Sequence, residues 1–295
     1  MRAVVFGGAG FVGSHVADAL TAAGHEVIVY DLKPSPYLRP GQRMIVGDIL
    51  DAAKVAEAVR GAQALYNFAG VSDIDEARHL PVETVQANIL GTVTLLEAAR
   101  EAEARRFVLA STIYVYSHAG GFYRASKQAC ESYVEEYQRE YGLPYTILRY
   151  GTLYGLRADM RNSVHRFLCQ AITDRKIVYY GDGDEMREYI HAEDAARCSV
   201  EILDPAFENQ HVILTGQQPM RVRDLMTMIR EILGDRVEVE YRQALPREEG
   251  HYKVTPYSFQ PKVGRKLVSS YYVDMGQGLL SCLEEVHARL GGEAG

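Results

Sequence analysis

The chain has 295 residues, of which 47% are hydrophobic and 24% charged, enough for a full hydrophobic core in one large domain or two interleaved ones. A formal net charge of -7 argues against a nucleic-acid partner, because neutralising phosphates requires a net basic face. The four cysteines lie far apart without a C-x-x-C pair, which predicts buried apolar residues and no metal site. With no apolar run of membrane-spanning length and no signal-type segment, we expect a cytoplasmic protein without a membrane partner.

The chain opens with a short apolar run, a glycine-punctuated turn and an amphipathic stretch. The run Val4–Phe6 predicts a buried parallel strand, and the apolar spacing after Gly10 predicts a helix. Gly7, Gly10 and Gly13 have the spacing G-x-x-G-x-x-G. Such glycines let the backbone turn tightly and approach a diphosphate at the helix N-terminus. Taken alone the loop fits either a dinucleotide site or a tight strand-to-helix turn.

Up to about residue 150, short apolar runs alternate with helical periodicity. This alternation predicts an α/β fold with a doubly wound parallel sheet of the Rossmann type. The predicted strands are Val4–Phe6, Val27–Tyr30, Met44–Val46, Ala64–Phe68, Phe107–Ala110 and Thr146–Leu148. Apolar stripes over residues 85–96 and 130–141 predict two helices that cover the sheet, and the second is also a plausible dimer face.

Two acidic residues follow the second and third predicted strands. Asp31 lies at the distance from Gly13 at which a carboxylate accepts hydrogen bonds from an adenosine ribose. A carboxylate there repels a 2′-phosphate, which favours NAD over NADP, although the nearby Lys33 keeps NADP as an alternative. Asp48 fits either an adenine contact or a turn residue.

A pair of residues with acid–base potential follows the fifth predicted strand. Tyr123 and Lys127 lie one turn apart on a predicted helix, and Ser111 and Thr112 end the strand before it. A tyrosine acting as a base needs its pKa lowered by about 3 units, which a neighbouring ammonium group favours. Because open parallel sheets bind ligands at the carboxyl ends of their strands, these groups are expected to converge there.

After Tyr150 the alternation becomes irregular. We predict a covering helix over Ala192–Leu203, a strand at Val212–Leu214, and C-terminal helices near Val222–Leu233 and Gly276–Leu290. These segments serve both the sheet and a further region, so the second domain is expected to be discontinuous. No internal repeat or polar linker separates the two parts.

Taken in order, the motifs resemble those of the extended short-chain dehydrogenase/reductases, in the nucleotide-sugar epimerase/dehydratase branch. The resemblance covers most of the chain up to about residue 235. The motifs that carry it are residues 7–13, Gly47-Asp48-Ile49, Asn67-Phe68-Ala69-Gly70, Asn88, Ser111-Thr112, Tyr123-x-x-x-Lys127, residues 148–155, and residues 181–194 with Arg187-Glu188-Tyr189-Ile190-His191. Each motif is weak singly, but their order and spacing together are specific.

The resemblance implies two domains and a set of site residues. Residues 1–155 and about 188–215 would form the NAD-binding Rossmann domain, and about 156–187 and 216–295 a smaller α/β substrate-binding lobe. Tyr123 would be the base, Lys127 would lower its pKa and hold the nicotinamide ribose, and Thr112 would be their hydroxyl partner at the substrate. The cofactor would contact Gly7, Gly10, Phe11, Val12, Asp31, Asp48, Ile49, Phe68, Ala69, Gly70, Asn88, Tyr123, Lys127 and Tyr150.

For the substrate, the resemblance implies a nucleotide-diphosphate sugar. Asn162 and Val164, at a helix start, and Arg187 would meet its phosphates. Ser111 is expected to be structural, as is His191, and Asp194 is expected to cap the helix that follows it.

Four features depart from the family pattern. Seven residues, Tyr116 to Phe122, separate Val115 from Tyr123, where the family usually has a longer loop over the sugar. Ile113 and Tyr114 stand where dehydratases of this branch carry an Asp-Glu pair, and without an acid and a base there water elimination loses its chemistry. Gly151-Thr152 replaces the usual Phe-Asn, and residues 251–261 match no motif but are expected to contribute to nucleotide or sugar recognition.

The resemblance therefore predicts an NAD-dependent nucleotide-sugar epimerase that acts at C4 through a transient keto sugar. A reductase, dehydrogenase or dehydratase of the same family is the alternative, and a non-catalytic NAD(P)-binding regulator a further one. A homodimer is expected through a four-helix bundle of the helices near residues 82–103 and 124–141 of each subunit.

Overall fold

A computed structural model describes residues 1–234, 236–243, 253–256, 265–267 and 271–291. Its strands are β1 (Arg2–Phe6), β2 (Glu26–Asp31), β3 (Gln42–Val46), β4 (Ala64–Asn67), β5 (Arg106–Thr112), β6 (Tyr145–Tyr150), β7 (Thr152–Tyr154), β8 (Lys176–Tyr180), β9 (Met186–Arg187), β10 (Tyr189–His191), β11 (Gln210–Leu214), β12 (Met220–Arg221), β13 (Glu238–Arg242) and β14 (Arg265–Lys266).

Eight of these strands form one parallel sheet in the order β14-β11-β6-β5-β4-β1-β2-β3. The predicted doubly wound parallel sheet is thus confirmed. The strand order reverses between β1 and β4, which pair side by side with Phe6 opposite Asn67. In open α/β sheets such a reversal leaves a crevice at the carboxyl ends of the strands, and this is where ligands bind.

The helices lie on both faces of the sheet and in a separate lobe. They are α1 (Phe11–Ala22), α2 (Ala52–Ala58), α3 (Ile74–His79), α4 (Pro81–Thr84), α5 (Gly91–Glu101), α6 (Gly121–Tyr141), α7 (Ser163–Thr173), α8 (Ala192–Glu201), α9 (Val222–Ile232) and α10 (Met275–Gly291). A π-helical turn, Val85–Leu90, joins α4 to α5, and a 3₁₀ turn, Ile113–Tyr116, follows β5.

The buried apolar residues form two clusters on opposite faces of the sheet and a third in the lobe. One sheet face packs against α2, α5 and α6, and the other against α1 and α8. The third cluster joins α7, α9 and α10 to β8 and β13. These separate cores support the predicted division into a cofactor domain and a lobe, which remains a prediction.

Two details of the chain's organisation differ from expectation. Arg265–Lys266, assigned by sequence to the lobe, pairs with β11 as the edge strand of the main sheet. A strand of two residues carries too little periodicity to be read from sequence. The helix at 192 begins before Asp194: the side chain of His191 accepts a hydrogen bond from the Glu193 amide and is the N-cap. The Asp194 prediction was therefore wrong, because imidazole performed the capping expected of a carboxylate.

A buried ion pair fixes α6 to the centre of the sheet. Glu131 on α6 and Arg149 on β6 are 0% and 0% exposed, and two hydrogen bonds of 2.9 and 2.7 Å join the guanidinium to the carboxylate. Ser111 at the end of β5 donates to the same carboxylate at 2.6 Å, and Arg149 also donates to the hydroxyl of Tyr116. Although burial lowers the pKa of Arg149, its hydrogen bonds to Glu131 raise the pKa above its usual value.

Replacing Glu131 with Gln should destabilise the protein strongly. The substitution keeps the shape of the side chain but leaves the Arg149 charge buried without a counter-charge, at a cost of about 3 to 5 kcal/mol in the free energy of unfolding. Urea denaturation followed by circular dichroism measures this loss.

The matched control is Glu136→Gln on the same helix. Glu136 pairs with Arg139 in solvent, and such an exposed pair contributes about 1 kcal/mol or less. Equal losses in the two variants would contradict the assignment of the buried pair as the tie between α6 and the sheet.

Candidate active site

A single large cleft runs along the carboxyl ends of the strands and into the lobe. Its volume is about 1830 Å³, and its lining extends from the glycine turn after β1 to Lys253 in the described part of the lobe. A cleft of this size between a sheet edge and a second unit is the usual place for a cofactor and a substrate to meet.

The glycine turn brings three backbone segments into close contact. Gly7 has φ +75°, and a Cβ atom there would lie 2.6 Å from the Ala69 amide nitrogen. A Cβ on Gly13 would lie 2.3 Å from the Gly7 carbonyl oxygen. Gly10 is the N-cap of α1 without a side-chain cap, so the first amides of α1 face the cleft beside Phe11 and Val12. Free amides at a helix N-terminus are suited to a diphosphate.

Asp31 and Asp48 line the neighbouring end of the cleft. One carboxylate oxygen of Asp31 accepts a hydrogen bond from the Ala9 amide at 3.0 Å, which holds the side chain against the glycine turn. The other oxygen accepts a hydrogen bond from the Lys33 amide at 3.4 Å. A carboxylate held in this way fits a ribose diol and repels a 2′-phosphate. Asp48 accepts from the Leu50 amide at 2.9 Å and so serves a turn, with the largely buried Ile49 beside it at the cleft.

The segment after β4 forms the wall opposite the glycine turn. Phe68, Ala69 and Gly70 line the cleft there. Asn88 lies behind this wall in the π-helical turn, where its amide accepts from the Val71 amide at 2.7 Å and donates to the Val71 carbonyl at 3.0 Å. A Cβ on Gly70 would lie 2.3 Å from the Asn88 side-chain oxygen, so this position requires glycine. Asn88 thus supports the wall without lining the cleft.

Thr112, Tyr123 and Lys127 converge where β5 ends. All three line the cleft, and Thr112 hydrogen-bonds to the hydroxyl of Tyr123. The Lys127 ammonium donates to the Ala110 carbonyl at 2.9 Å and lies 6.0 Å from the centre of the Tyr123 ring. Helix α6 places the phenol and the ammonium one turn apart, as the spacing predicted.

Burial shifts the pKa values of Tyr123 and Lys127. Burial raises the pKa of Tyr123 to about 12, although the hydrogen bond from Thr112 acts in the opposite direction and lowers it. Burial also lowers the pKa of Lys127, although the charge of Glu131 favours the ammonium form. Desolvation disfavours both ions singly, whereas a phenolate beside an ammonium stabilises each. A bound cation near the phenol would lower the pKa of Tyr123 further.

The predicted substrate residues divide between the cleft wall and the lobe core. Asn162 lines the cleft and is the N-cap of α7, accepting from the His165 amide at 3.1 Å and donating to the Leu153 carbonyl at 2.7 Å. Arg187 on β9 also lines the cleft. The side chain of Val164 is instead buried in the lobe core, because position 164 of α7 faces β8 and α10. Only its backbone amide, in the first turn of α7, is left for a ligand.

Tyr150 lines the cleft at the end of β6, but its hydroxyl is bound to α8. Its hydroxyl is 2.6 Å from the Ser199 hydroxyl on α8, and its ring packs near Phe68. The alternation of side chains along β6 sends Tyr150 to the α8 face and Arg149 to the α6 face. The expected contact between Tyr150 and a cofactor stays a prediction.

Several residues that line the substrate end were missed from the sequence. Arg161 and Arg166 flank the start of α7, and the rings of Tyr179 and Tyr241 meet edge to face across β8 and β13. The paired aromatic ending of β8, directly before Gly181-Asp182-Gly183, was an available signal. Glu131, which forms the buried ion pair with Arg149, was also missed. Its signal was its position on α6, one further helical turn beyond Tyr123 and Lys127.

The short loop before α6 is closed by Tyr114. Gly120 has φ +94°, and a Cβ there would lie 2.9 Å from the Tyr114 ring. Tyr114 lines the cleft, so an aromatic ring faces the cleft beside the loop that is shorter than in the family that the chain resembles. Of the unmatched segment 251–261, residues 251–252 and 257–261 lie outside the described residues, whereas Lys253 lines the cleft.

The described residues contain neither a cluster of metal-ligating side chains nor a membrane-spanning helix. Of the cysteines among them, three are buried, whereas Cys169 is partly exposed and lies 3.5 Å from a ring nitrogen of His165. The expectation of four buried cysteines was wrong at Cys169, on the partly exposed face of α7.

Comparison with known proteins gives matches over most of the chain. The model of the NAD dependent epimerase/dehydratase family matches residues 3–214. A low-salt glycan biosynthesis protein of Haloferax volcanii, Agl12, is 32% identical over 66% of this chain and 70% of its own length. A dTDP-glucose 4,6-dehydratase of Mycobacterium tuberculosis is 28% identical over 79% and 77%. The crystal structure of a Thermus thermophilus UDP-glucose 4-epimerase with NAD superposes with a TM-score of 0.82, at 25% identity over 97% of this chain and 99% of that one.

Replacing Gly13 with Ala should weaken NAD binding roughly tenfold or more, because the new methyl group must displace the Gly7 backbone at a cost of about 1 to 3 kcal/mol. Isothermal titration of the cofactor-free protein with NAD measures the change. Ser14→Ala, one residue further along α1, adds no atoms and should keep the wild-type affinity within about twofold. Unchanged affinity in Gly13→Ala would show that the close approach does not shape the cofactor site.

Proposed function

The chain belongs to the NAD dependent epimerase/dehydratase family, and on that premise we propose that it is a nucleotide-sugar epimerase acting at sugar C4. The observation that carries the proposal is the convergence of Thr112, Tyr123 and Lys127 at the end of β5, with Ile113 and Tyr114 directly beside them. This set holds a base and its cation but offers no second acid–base pair.

When bound, NAD supplies a nicotinamide ring that accepts a hydride from the sugar and returns it. Tyr123, as phenolate, removes the proton of the C4 hydroxyl, and Thr112 holds that oxygen in line. Lys127 stabilises the phenolate electrostatically. The sugar, now a C4 ketone, remains held by its diphosphate and rotates. Return of the hydride to its other face would invert C4, Tyr123 would give the proton back, and no net redox change would result.

The residues after Thr112 favour epimerisation over dehydration. Eliminating water from the sugar requires an acid and a base beside the ketone. Here Ile113 is 1% exposed and packs against Ile213, and Tyr114 carries only a phenol. Neither replaces a pair of carboxyl groups at this position, which favours return of hydride and proton to the keto sugar over elimination of water.

The lobe supports binding through the diphosphate. The N-terminus of α7 opens into the cleft at Asn162, and Arg187 lies on the wall nearby. Helix amides and a guanidinium bind phosphate oxygens without contacting the sugar ring. A sugar anchored in this way is free to turn within the site, as epimerisation requires.

A net redox reaction on a keto-sugar nucleotide is the second candidate. It uses the same three residues and differs only in the fate of the hydride, so accumulation or consumption of NADH distinguishes it. A regulator that binds NAD(P) without catalysis is disfavoured because both Tyr123 and Lys127 are present and meet in the cleft.

A homodimer is part of the proposal. The helices over residues 82–103 and 124–141 carry large exposed apolar side chains, among them Val82, Val85, Leu90, Tyr133 and Tyr141. Pairing these helices with those of a second copy would bury this surface in a four-helix bundle. We expect it to act in the cytoplasm, where nucleotide sugars are handled in solution.

Replacing Tyr123 with Phe should reduce turnover by about 10² to 10⁴-fold while leaving NAD affinity nearly unchanged, because only the proton transfer is removed. The wild-type protein is first assayed against UDP-, GDP-, CDP- and dTDP-hexoses, with product epimers separated by chromatography. Full activity in Tyr123→Phe would refute the assigned base, and failure on every hexose of the panel would refute the epimerase.

The control is Tyr271→Phe, in which a tyrosine that is 82% exposed loses its hydroxyl far from the chemistry. It should retain wild-type turnover. Accumulation of NADH in stoichiometric amounts would replace the epimerase with the redox candidate.

The rate should rise with pH, because catalysis requires the Tyr123 phenolate and burial places the pKa of this phenol at about 12 in the absence of a ligand. Lys127→Met removes the stabilising cation, so the rising limb of kcat/KM should move to higher pH by roughly one unit or more. Profiles of kcat/KM against pH measure the shift. Lys176→Met, which removes a lysine paired with Glu240 on the lobe, should leave the profile in place. Identical profiles for all three proteins would contradict the role of Lys127.

A further inference from the structure

Arg157 joins the lobe to the cofactor domain at a point outside the cleft. It follows β7 with φ +66°, a left-handed conformation that is unfavourable for a residue with a side chain. Its backbone amide donates to both carboxylate oxygens of Glu285 on α10, at 3.1 and 3.0 Å. The main chain of Arg157 is therefore fixed to the last helix of the lobe.

The side chain of Arg157 reaches in the opposite direction. Its guanidinium donates to Asp18 on α1 at 2.7 Å and lies 4.7 Å from the centre of the Tyr37 ring. The side chain is 11% exposed. Tyr37 belongs to the segment between β2 and β3, which follows Asp31 directly. One residue thus contacts α10, α1 and the segment next to the adenosine end of the cleft.

Asp18 also binds the end of the same segment and the start of β3. Its carboxylate also accepts hydrogen bonds from Arg39 at 3.2 Å and Gln42 at 3.0 Å. Burial raises the pKa of Asp18, but the hydrogen bonds from Arg157 and Gln42 outweigh it, and the pKa lies below its usual value. The carboxylate therefore stays charged, and the pair with Arg157 is maintained across the neutral range.

The chain on either side of Arg157 is held equally firmly. The Leu156 carbonyl lies 3.0 Å from a ring nitrogen of His15 on α1, and the Ala158 carbonyl accepts from Arg289 on α10 at 3.4 Å. Residues 159–163 follow at once, and Asp159, Arg161, Asn162 and Ser163 line the cleft up to the start of α7. Contacts of one short segment, residues 156–158, therefore connect α1 and α10 to the part of the chain that enters the cleft.

We propose that Arg157 is a positioning residue that couples NAD binding at the adenosine end of the cleft to the placement of residues 159–163 and of α10. In this proposal, binding of NAD orders the segment from Leu32 to Gly41. The Tyr37 ring in that segment and the Asp18 carboxylate then hold the guanidinium of Arg157 in place. The hydrogen bonds from the Arg157 amide to Glu285 in turn restrict the motion of α10. This inference rests on NAD as the cofactor and is independent of the 4-epimerase proposal.

Hydrogen–deuterium exchange of the protein with and without NAD tests the coupling. In the wild type, NAD should slow exchange in residues 32–41 and also in residues 156–162 and 275–291. Arg157→Met keeps the aliphatic stem and the backbone contact. Of the three segments compared, NAD should then slow exchange in residues 32–41 alone. NAD affinity measured by isothermal titration should fall by roughly fivefold or more.

Two further variants separate coupling from simple stabilisation. Arg157→Lys keeps a cation for Asp18 but loses the planar group over Tyr37, and it should restore part of the long-range protection. Arg39→Met removes the exposed partner of Asp18 and should keep protection at residues 275–291. If Arg157→Met fails to fold, Arg157→Lys carries the test, with reduced protection at residues 275–291 as the expected result.

Once a nucleotide sugar that the enzyme converts has been identified, the coupling can also be tested by kinetics. Arg157→Met should raise the KM for that nucleotide sugar and keep kcat within about twofold of the wild-type value. NAD-dependent protection of residues 156–162 and 275–291 that is the same in the wild type and in Arg157→Met would overturn the proposal. So would the absence of such protection in the wild type.

Discussion

The placement of Thr112, Tyr123 and Lys127 depends on the buried ion pair between Glu131 and Arg149. It fixes the middle of α6 to β6, and through Ser111 it fixes the end of β5 to the same carboxylate. Tyr123 and Lys127 lie on the helix that is held, and Thr112 ends the strand that is held. Because an unpaired charge in this position is costly, the helix and the strand have one favourable arrangement relative to each other. The hydroxyl, the phenol and the ammonium converge as its consequence.

The two halves of the cleft use different physical means. At one end, close backbone contacts among Gly7, Gly13 and Ala69 leave the first amides of α1 facing the cleft, with the Asp31 carboxylate beside them. At the other end, Asn162, Arg187 and the aromatic rings of the lobe come from elements with their own core. The first end is shaped mainly by close backbone contacts, whereas the second is lined by side chains of the lobe. Arg157 connects the two halves outside the cleft.

Much of the fold and of the cofactor site could be predicted because both rest on local pattern. Three such patterns each lie within a few residues: the charge-free apolar run of the first strand, the glycine spacing after it, and the separation of Tyr123 and Lys127 by one helical turn. What sequence reasoning missed depends on contacts between distant segments: the burial of the Val164 side chain in the lobe core, and the pairing of Arg149 with Glu131. The capping of α8 by His191 was missed because capping was expected from the side chain with the stronger preference for that position.

The central claim is that hydride leaves and returns to the same carbon of one bound sugar while Tyr123 moves the proton. Incubation of the enzyme with a nucleotide hexose deuterated at C4, chosen from those it turns over, tests this most directly. Mass spectrometry and NMR of the product should find the C4 epimer with deuterium retained at C4 and none lost to solvent. An epimer that has lost its deuterium, or a ketone that leaves the enzyme with the label missing, would contradict the account.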